Sequence, residues 1–368
     1  GEGLLFSEPQ LKRVKNEISK QYLNLGLYSA TIDTKVTPQE RNRVAIDFYI
    51  NEGSTARIKE VSLIGVTKFD QEDLLSRLDL QPTTFLSWWN KDDRYSRQVL
   101  TGDLEKIRSF YMNRGYLDFD IKNTTVSISE TKKNVYIAII IDEGDKYTFG
   151  DIKISGKYYP LTEESIFQND IKTKKGEVFS RELLNQSTES INQELGNYGY
   201  AFSNVNPIPD VDKENLIVGF NYFIEPGKKV YVRRISFVGN EKTKDKVLRR
   251  EMRQFEASYY DKEKIDQSTR RLKRTQYFEG VDIKTVSVPG ISDQVDLTVA
   301  VKEKNTGSVK LGAGASSDEG LVGSFSVTQA NFLGTGNTVS ATINTSSVNT
   351  VYSISHFDPY YTLDGISR

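Results

Sequence analysis

Cysteine is absent from the 368 residues, and histidine occurs once, at His356. These two scarcities exclude a disulfide framework, a cysteine-based zinc site, a Cys/His dyad and a histidine-rich metal centre. No run of about 18 apolar residues occurs, so no membrane-spanning helix is expected. The opening Gly1-Glu2-Gly3 shows neither a basic nor an apolar segment of the secretory type, so no signal peptide is read there. Charge of either sign is scarce in one region only. Residues 305–368 hold six of the 99 charged side chains (Lys310, Asp318, Glu319, Asp358, Asp364 and Arg368) but eight of the 26 glycines. The net charge of −1 therefore hides two different materials in one chain. Its length implies two or more domains, and 37% hydrophobic residues suffice for packed cores rather than disorder.

What is present is a repeat. A short alternating strand ending in glycine recurs as Ile58 to Gly65, Ile152 to Gly156 and Val232 to Gly239. A helix with an aromatic, glycine-terminated stop recurs around Gly26, Gly115 and Gly199, with a degenerate copy at Tyr277-Phe278-Glu279-Gly280. Each copy closes on an alternating strand with a glycine or acidic stop: Val44 to Gly53, Val135 to Gly144, Leu216 to Gly227 and Val295 to Glu303. The closing glycines Gly53, Gly144 and Gly227 are spaced by 91 and 83 residues, and so are the opening glycines Gly65, Gly156 and Gly239. Two independent landmarks with the same spacings identify a true repeat.

Within a copy the local signals are ordinary. Ser7 and Gln10 form a capping-box pattern; Leu11, Val14, Ile18 and Tyr22 follow at helical spacing, and Gly26 suits the left-handed residue that ends a helix. Tyr28, Ala30 and Ile32 alternate, as do Val44, Ile46, Phe48 and Ile50, with residues 38–42 as the turn. The complete copies add an opening strand and a helix over 70–80, 162–171 and 243–252. The order is β-α-α-β-β, and the fold class is α+β: a three-stranded sheet covered on one face by two helices. Such a sheet has edges, whose unpaired backbone groups are either tolerated or used as docking surfaces for extended peptides.

From Gly307 the pattern changes to segments of about ten residues that alternate apolar or small with Ser, Thr and Asn, divided by turns at 317–320, 334–337 and 346–349. Transmembrane β-barrel strands look like this, as does a soluble meander; the near absence of charge favours the membrane. Four strands cannot close a barrel, and an open ribbon in lipid would leave backbone groups unsatisfied. The chain is accordingly expected to be a fragment, cut at both ends.

Longer strings then carry a resemblance: Trp88-Trp89-Asn90, Gly102-Asp103-Leu104-Glu105, Arg114-Gly115-Tyr116, the stretch 247–254, the stretch 301–307, Asn331-Phe332-Leu333-Gly334-Thr335-Gly336 and Asp358-Pro359-Tyr360-Tyr361. Over the whole chain the sequence resembles the POTRA-plus-barrel proteins, and among them the BamA family of outer-membrane protein assembly factors. The resemblance implies the C-terminal part of a second POTRA (1–53), then the third (54–144), fourth (145–227) and fifth (228–304), then the first strands of an incomplete outer-membrane barrel (305–368). It implies location in the outer membrane with the POTRA repeats in the periplasm. The function it implies is insertion of unfolded outer-membrane proteins without covalent chemistry. The implied partners are those clients, BamB-like and BamD-like lipoproteins and outer-membrane lipids. A secretion pore of the same superfamily and a soluble periplasmic scaffold are the alternatives.

Candidate site residues follow. The fifth unit has 19 basic and 12 acidic residues, whereas the fourth has 8 and 13. Its basic cluster is read as solvated surface, or as contact with anionic headgroups or an acidic partner, rather than as a nucleic-acid site. The resemblance places a BamD-like contact at 249–256, with Arg249, Arg250 and Glu256 as its ionic residues. It places a BamB-like or client contact on the edge strand 122–129, with Val126 and Ile128 as apolar anchors or as residues facing their own core. The first barrel strand, with Val309, Leu311, Gly312 and Gly314, is implied to be the lateral-gate strand; its two glycines weaken strand pairing. Trp88 and Trp89 are read as loop packing. Gly312-Ala313-Gly314 imitates half a phosphate loop, but no strand-to-helix step follows. No nucleophile, base or metal constellation is present, so no enzyme activity, cofactor or small-molecule substrate is expected.

Overall fold

The computed structural model describes residues 6–40, 43–83 and 93–362, so Trp88 and Trp89 lie outside the described residues. The chain forms two compact units. The first runs through Ile152 and takes in Lys172–Gln186 and Pro209–Phe220; the second comprises Lys153–Ile171, Ser187–Ile208 and the chain from Asn221 onward.

The first unit opens with α1 (Glu8–Asn24) and the antiparallel pair β1 (Thr31–Gln39) and β2 (Arg43–Asn51). The first whole repeat follows as β3 (Arg57–Ile64), α2 (Gln71–Ser76), α3 (Arg97–Met112), β4 (Asp120–Ile128) and β5 (Asn134–Asp142), with sheet order β3-β5-β4. The closing strand β5 is central, parallel to β3 and antiparallel to β4. Its Val135, Ile137, Ile139 and Ile141 alternate inward onto Leu74 of α2, Leu78 just after it, and Leu100, Ile107 and Phe110 of α3. Ile58 and Val61 of β3 join this core although they are three residues apart; the register slips between Ile58 and Glu60, and the extra residue restores the inward phase. Each such fully buried Ile or Leu contributes about 2 kcal/mol.

The second whole repeat has β6 (Thr148–Gly156), α4 (Glu163–Asn169), α5 (Arg181–Asn197), β7 (Asn204–Asp212) and β8 (Ile217–Glu225), in the order β6-β8-β7. The boundary between the two units passes through it. The second unit contains the third whole repeat: β9 (Tyr231–Val238), α6 (Asp245–Arg249), α7 (Lys262–Arg274), β10 (Phe278–Ser287) and β11 (Gln294–Glu303), ordered β10-β11-β9. It continues into an antiparallel four-stranded meander of β12 (Gly307–Ser316), β13 (Gly320–Gln329), β14 (Thr338–Thr345) and β15 (Thr350–Phe357). This sheet is unclosed.

The repeat landmarks have specific tasks. Gly65, Gly156 and Gly239 have positive φ, and a Cβ there would collide with the backbone oxygens of Ile141, Ile224 and Val301, the residues where the closing strand passes beneath. Only glycine combines that conformation with that approach. The helix-stop glycines do more than end helices. The carbonyls of Gly26, Gly115 and Gly199 accept from the N–H groups of Ala56, Tyr147 and Val230, at 2.9, 2.8 and 3.0 Å. Those acceptors' partners then use their own carbonyls to accept from Tyr95, Phe179 and Tyr260. Each joint thus ties one repeat to the start of the next.

Two local expectations are corrected. Ser7 occupies the N-cap of α1, but its side chain makes no capping bond; Pro9 removes one of the two N–H groups that a cap would accept. The turn expected over 38–42 is shorter, because Pro38 pairs with Val44 inside the strand; an edge strand tolerates proline where its missing N–H would face outward.

Closing acids clamp the loop after each opening strand in two repeats. Glu143 accepts from the N–H groups of Thr67 and Lys68 and from Tyr111 Oη, and Glu303 accepts from those of Lys242 and Thr243. The second whole repeat has Pro226 at the equivalent place. Burial pushes both carboxyls up, but the donated hydrogen bonds outweigh it and hold them below the ordinary value of 4.5. A folded-state pKa below the unfolded one gives stability that is complete above 4.5 and lost as pH falls through the folded value. Glu143→Gln/Glu303→Gln is therefore expected to lower the denaturant midpoint at neutral pH, and the gap from wild type should narrow below pH 4.5. A gap independent of pH would rule out the ionised clamp.

Candidate functional site

The register of the four-stranded sheet sorts its side chains. Val309, Val327, Ala341 and Ile354 form one cross-strand row, and Leu311, Phe325, Ile343 and Tyr352 form the next on the same face. The opposite face carries Lys310, Ser326, Thr342 and Ser353, then Gly312, Ser324, Asn344 and Val351. Period-two alternation on each strand, kept in phase by the turns, produces one apolar and one mostly polar face. The apolar rows have no protein covering among the described residues: Leu311 is 80% exposed and Ile354 84%. Val309 and Leu311 thus lie on the apolar face, Gly312 and Gly314 on the polar one, all on edge strand β12. His356 pairs with Val339 at the end of the sheet, its Nε2 3.1 Å from Asn337 Nδ2.

That end of the sheet is fastened to the third whole repeat. In the β13–β14 connection, the Gly334 carbonyl accepts from Lys244 N–H at 3.0 Å, Asn331 Nδ2 donates to Thr243 Oγ1 at 2.8 Å, and Tyr277 Oη donates to the Gly336 carbonyl at 2.9 Å. Side chains at Gly334 or Gly336 would collide with the Lys242 carbonyl or the Arg250 guanidinium. After β15, Tyr360 Oη accepts from Arg271 Nη2 at 2.9 Å, and the Arg250 guanidinium lies 4.1 Å from the Tyr360 ring centroid. Beneath them Glu251, its side chain 7% exposed, pairs with Arg271 at 2.8 Å; Arg250 Nε is 3.7 Å away, beyond hydrogen-bonding reach. A carboxylate this buried needs its cation.

Two adjacent arginines therefore serve different ends. Arg250, expected as a partner contact, is only 20% exposed and is committed to Tyr360 within the chain. Arg249 is half exposed; its Nη1 lies 3.5 Å from Glu256 Oε1 and its Nη2 donates to the Ile235 carbonyl. Glu256 accepts from Ile235 N–H at 2.8 Å, so this exposed pair covers the outer backbone groups of edge strand β9.

The edge strand of the first whole repeat, β4, separates its two predicted anchors. Val126 packs on its own core, whereas Ile128 is 40% exposed. Ser129 N–H donates inward to the Asn134 carbonyl, so by alternation the N–H groups of Thr124, Val126 and Ile128 point away from β5. The sequence reading missed Glu251, Arg271, Tyr277 and Tyr360. A buried acid between arginines has no local sequence period; the stretch 247–254 and the Asp358-Pro359-Tyr360-Tyr361 string were its available signals.

Two substitutions separate the parts of the fastening. Arg271→Leu, which leaves Glu251 buried and without its close cation, is expected to cost about 3 kcal/mol of unfolding free energy. Tyr360→Phe removes one hydroxyl acceptor and should cost about 1 kcal/mol. Denaturant titration checks both, and equal midpoints for wild type and Arg271→Leu would contradict the assignment.

Among the described residues, no cluster of His, Cys, Asp and Glu could hold a metal ion. The family model described as POTRA, surface antigen variable number repeat, matches residues 1–53, 56–144, 147–227 and 230–304. The chain is 33% identical to the outer membrane protein assembly factor BamA of Neisseria meningitidis over 98% of its length, covering 45% of that protein. It is 32% identical to BamA of Buchnera aphidicola over 92% of its length, covering 55% of that protein. The chain thus spans about half the length of these curated relatives. Among solved structures, BamA POTRA3-5 of Haemophilus influenzae aligns with a TM-score of 0.59 at 27% identity, over 67% of this chain and 96% of that one. BamA of Haemophilus ducreyi lacking POTRA domains 1-3 aligns with 0.53 at 35% identity, over 60% and 41%. With repeats matched over most of its length, the chain belongs to the POTRA-repeat family, within the BamA/Omp85 superfamily.

Proposed function

We propose that this chain is the periplasmic repeat array and barrel start of an outer-membrane protein assembly and insertion factor. The observation that carries the reading is the sorting of β12 to β15 into an uncovered apolar face and a mostly polar face, directly after the repeats. Lipid is the solvent that such an apolar face fits. No covalent step is involved; the work is backbone pairing and positioning. The relatives named as assembly factors support the same role.

A lipid-facing row makes a sharp expectation. Ile354→Arg should destabilise the full-length protein in phospholipid vesicles by about 2 kcal/mol, while Ser355→Arg on the other face should be near neutral. Equal effects in a urea titration would sink the membrane reading.

Unfolded clients, and an accessory lipoprotein of the BamB type, are captured as added strands on β4, whose outward N–H groups at Thr124, Val126 and Ile128 are free of the ladder. In the lateral gate, β12 offers its outer edge in the same way, and Gly312 and Gly314 make its pairing weak enough to open. For the β4 edge, Val126→Pro should weaken binding of an extended peptide about tenfold, while Val126→Ala, which loses similar packing but keeps the N–H, should not. Loss in both variants would point to packing instead.

A BamD-type lipoprotein docks on the exposed Arg249–Glu256 pair, both of whose side chains are accessible. Glu256→Arg should abolish co-purification of that partner, with recovery when an acidic residue replaces the partner's contacting base. Persistent co-purification would refute the contact.

A further inference from the structure

The sheets differ in how their edges are guarded. Each opening strand is covered by the segment between its two helices. In β3, Ile58 bonds Asp93 and Thr83; in β6, Phe149 bonds Glu177 and Gly176; in β9, Val232 bonds Ser258 and Ala257. Those edges cannot accept a full added strand. The opposite edges are β4, β7 and β10.

Of these, β10 carries Glu279, Asp282 and Lys284 and a bulge at its start, which are ordinary protections against strand addition. β7 is protected differently: its sequence NVNPIPDVD places Pro207 and Pro209 two residues apart. Alternate residues of a strand send their N–H groups to the same side, so both prolines fall in one row. Because β7 is an edge, prolines are tolerated where that row faces outward; facing β8 they would delete ladder bonds. The outward row of β7 therefore lacks two consecutive donors. β4 also begins with charges, Asp120 and Lys122, and a bulge before Asn123, but these are confined to its first three residues, and the run Asn123-Thr124-Thr125-Val126-Ser127-Ile128 has neither proline nor charge.

We infer that Pro207 and Pro209 close the second whole repeat to strand addition, so that among the three whole repeats a captured segment is held at one edge, β4. The occupant is an uncharged extended segment alternating apolar with small polar side chains, matching the uncharged stretch 123–128 of β4. This chain's own β13 is of that kind. The inference rests on the reading of β4 as a capture edge, and the experiment separates the two.

A fluorescent peptide with the sequence of Gly320–Gln329 serves as the probe, with the full chain as the binder. Anisotropy measures binding, and amide exchange read by mass spectrometry locates it. Among the repeats, wild type should slow exchange over 123–128 alone when peptide is bound, and Val126→Pro should lose that protection. Adding Pro207→Thr and Pro209→Val to Val126→Pro should restore binding, with slowed exchange moved to 205–211. A triple variant that keeps its native circular dichroism but binds nothing overturns the inference, as does binding at 205–211 while the prolines remain. If wild type fails to bind but Pro207→Thr/Pro209→Val binds at 205–211, the proline guard stands and the β4 reading falls. If no variant binds, both fall; dimers sensitive to Val126→Pro, formed without peptide uptake, would assign the edge to a second copy and likewise overturn it.

Discussion

A glycine carbonyl at the end of a helix holds the repeats in series. In the left-handed conformation Gly26, Gly115 and Gly199 turn the chain out of the helix, and each aims its carbonyl at the first strand residues of the next copy. That next residue then bonds the segment before its own second helix. The joint is made of backbone atoms, so it tolerates wide change in side chains around it. The contrast between a 13-to-8 acidic excess in one unit and a 19-to-12 basic excess in the next is compatible with identical joints. Charge can vary by repeat while the connection does not.

The same reliance on backbone appears in the edges. Opening strands are covered by bridging segments, β9 further by the Arg249–Glu256 pair, and the remaining edges by prolines, charges or a bulge to different degrees. A repeat protein that displays many strand edges risks pairing with itself. Here the protection is graded instead of uniform, which leaves room for selective use.

Much of the fold was legible because its signals are periodic. The 91 and 83 residue spacings, the glycine stops and the inward alternation of Val135, Ile137, Ile139 and Ile141 are all local or repetitive, and the three-stranded sheets with two helices follow from them. The two faces of the meander were equally visible in its alternation. Less was legible at the sites. Arg249 and Arg250 are neighbours in sequence, yet one faces solvent beside Glu256 and the other lies over Tyr360, 110 residues along the chain. Only the tertiary approach of the last strand separates them. Ser7 stands at the N-cap without a capping bond, and Pro9, itself a good helix starter, removes one of the donors such a cap would use. The bulges at Lys59 and Arg233, which let odd-spaced residues share one core, leave no mark in a simple period-two count.

The meander meets the third whole repeat at three places: the covalent step from β11 to β12, the β13–β14 connection gripped by Thr243, Lys244 and Tyr277, and Tyr360 seated between Arg250 and Arg271. A single covalent tether would be a swivel, and two points would be a hinge. A third attachment adds bonds that a tilt of the repeat against the strand ends must strain. A pull on the repeat is then delivered to several strand ends together, and β12 is loaded along with the strands beside it instead of being peeled away alone.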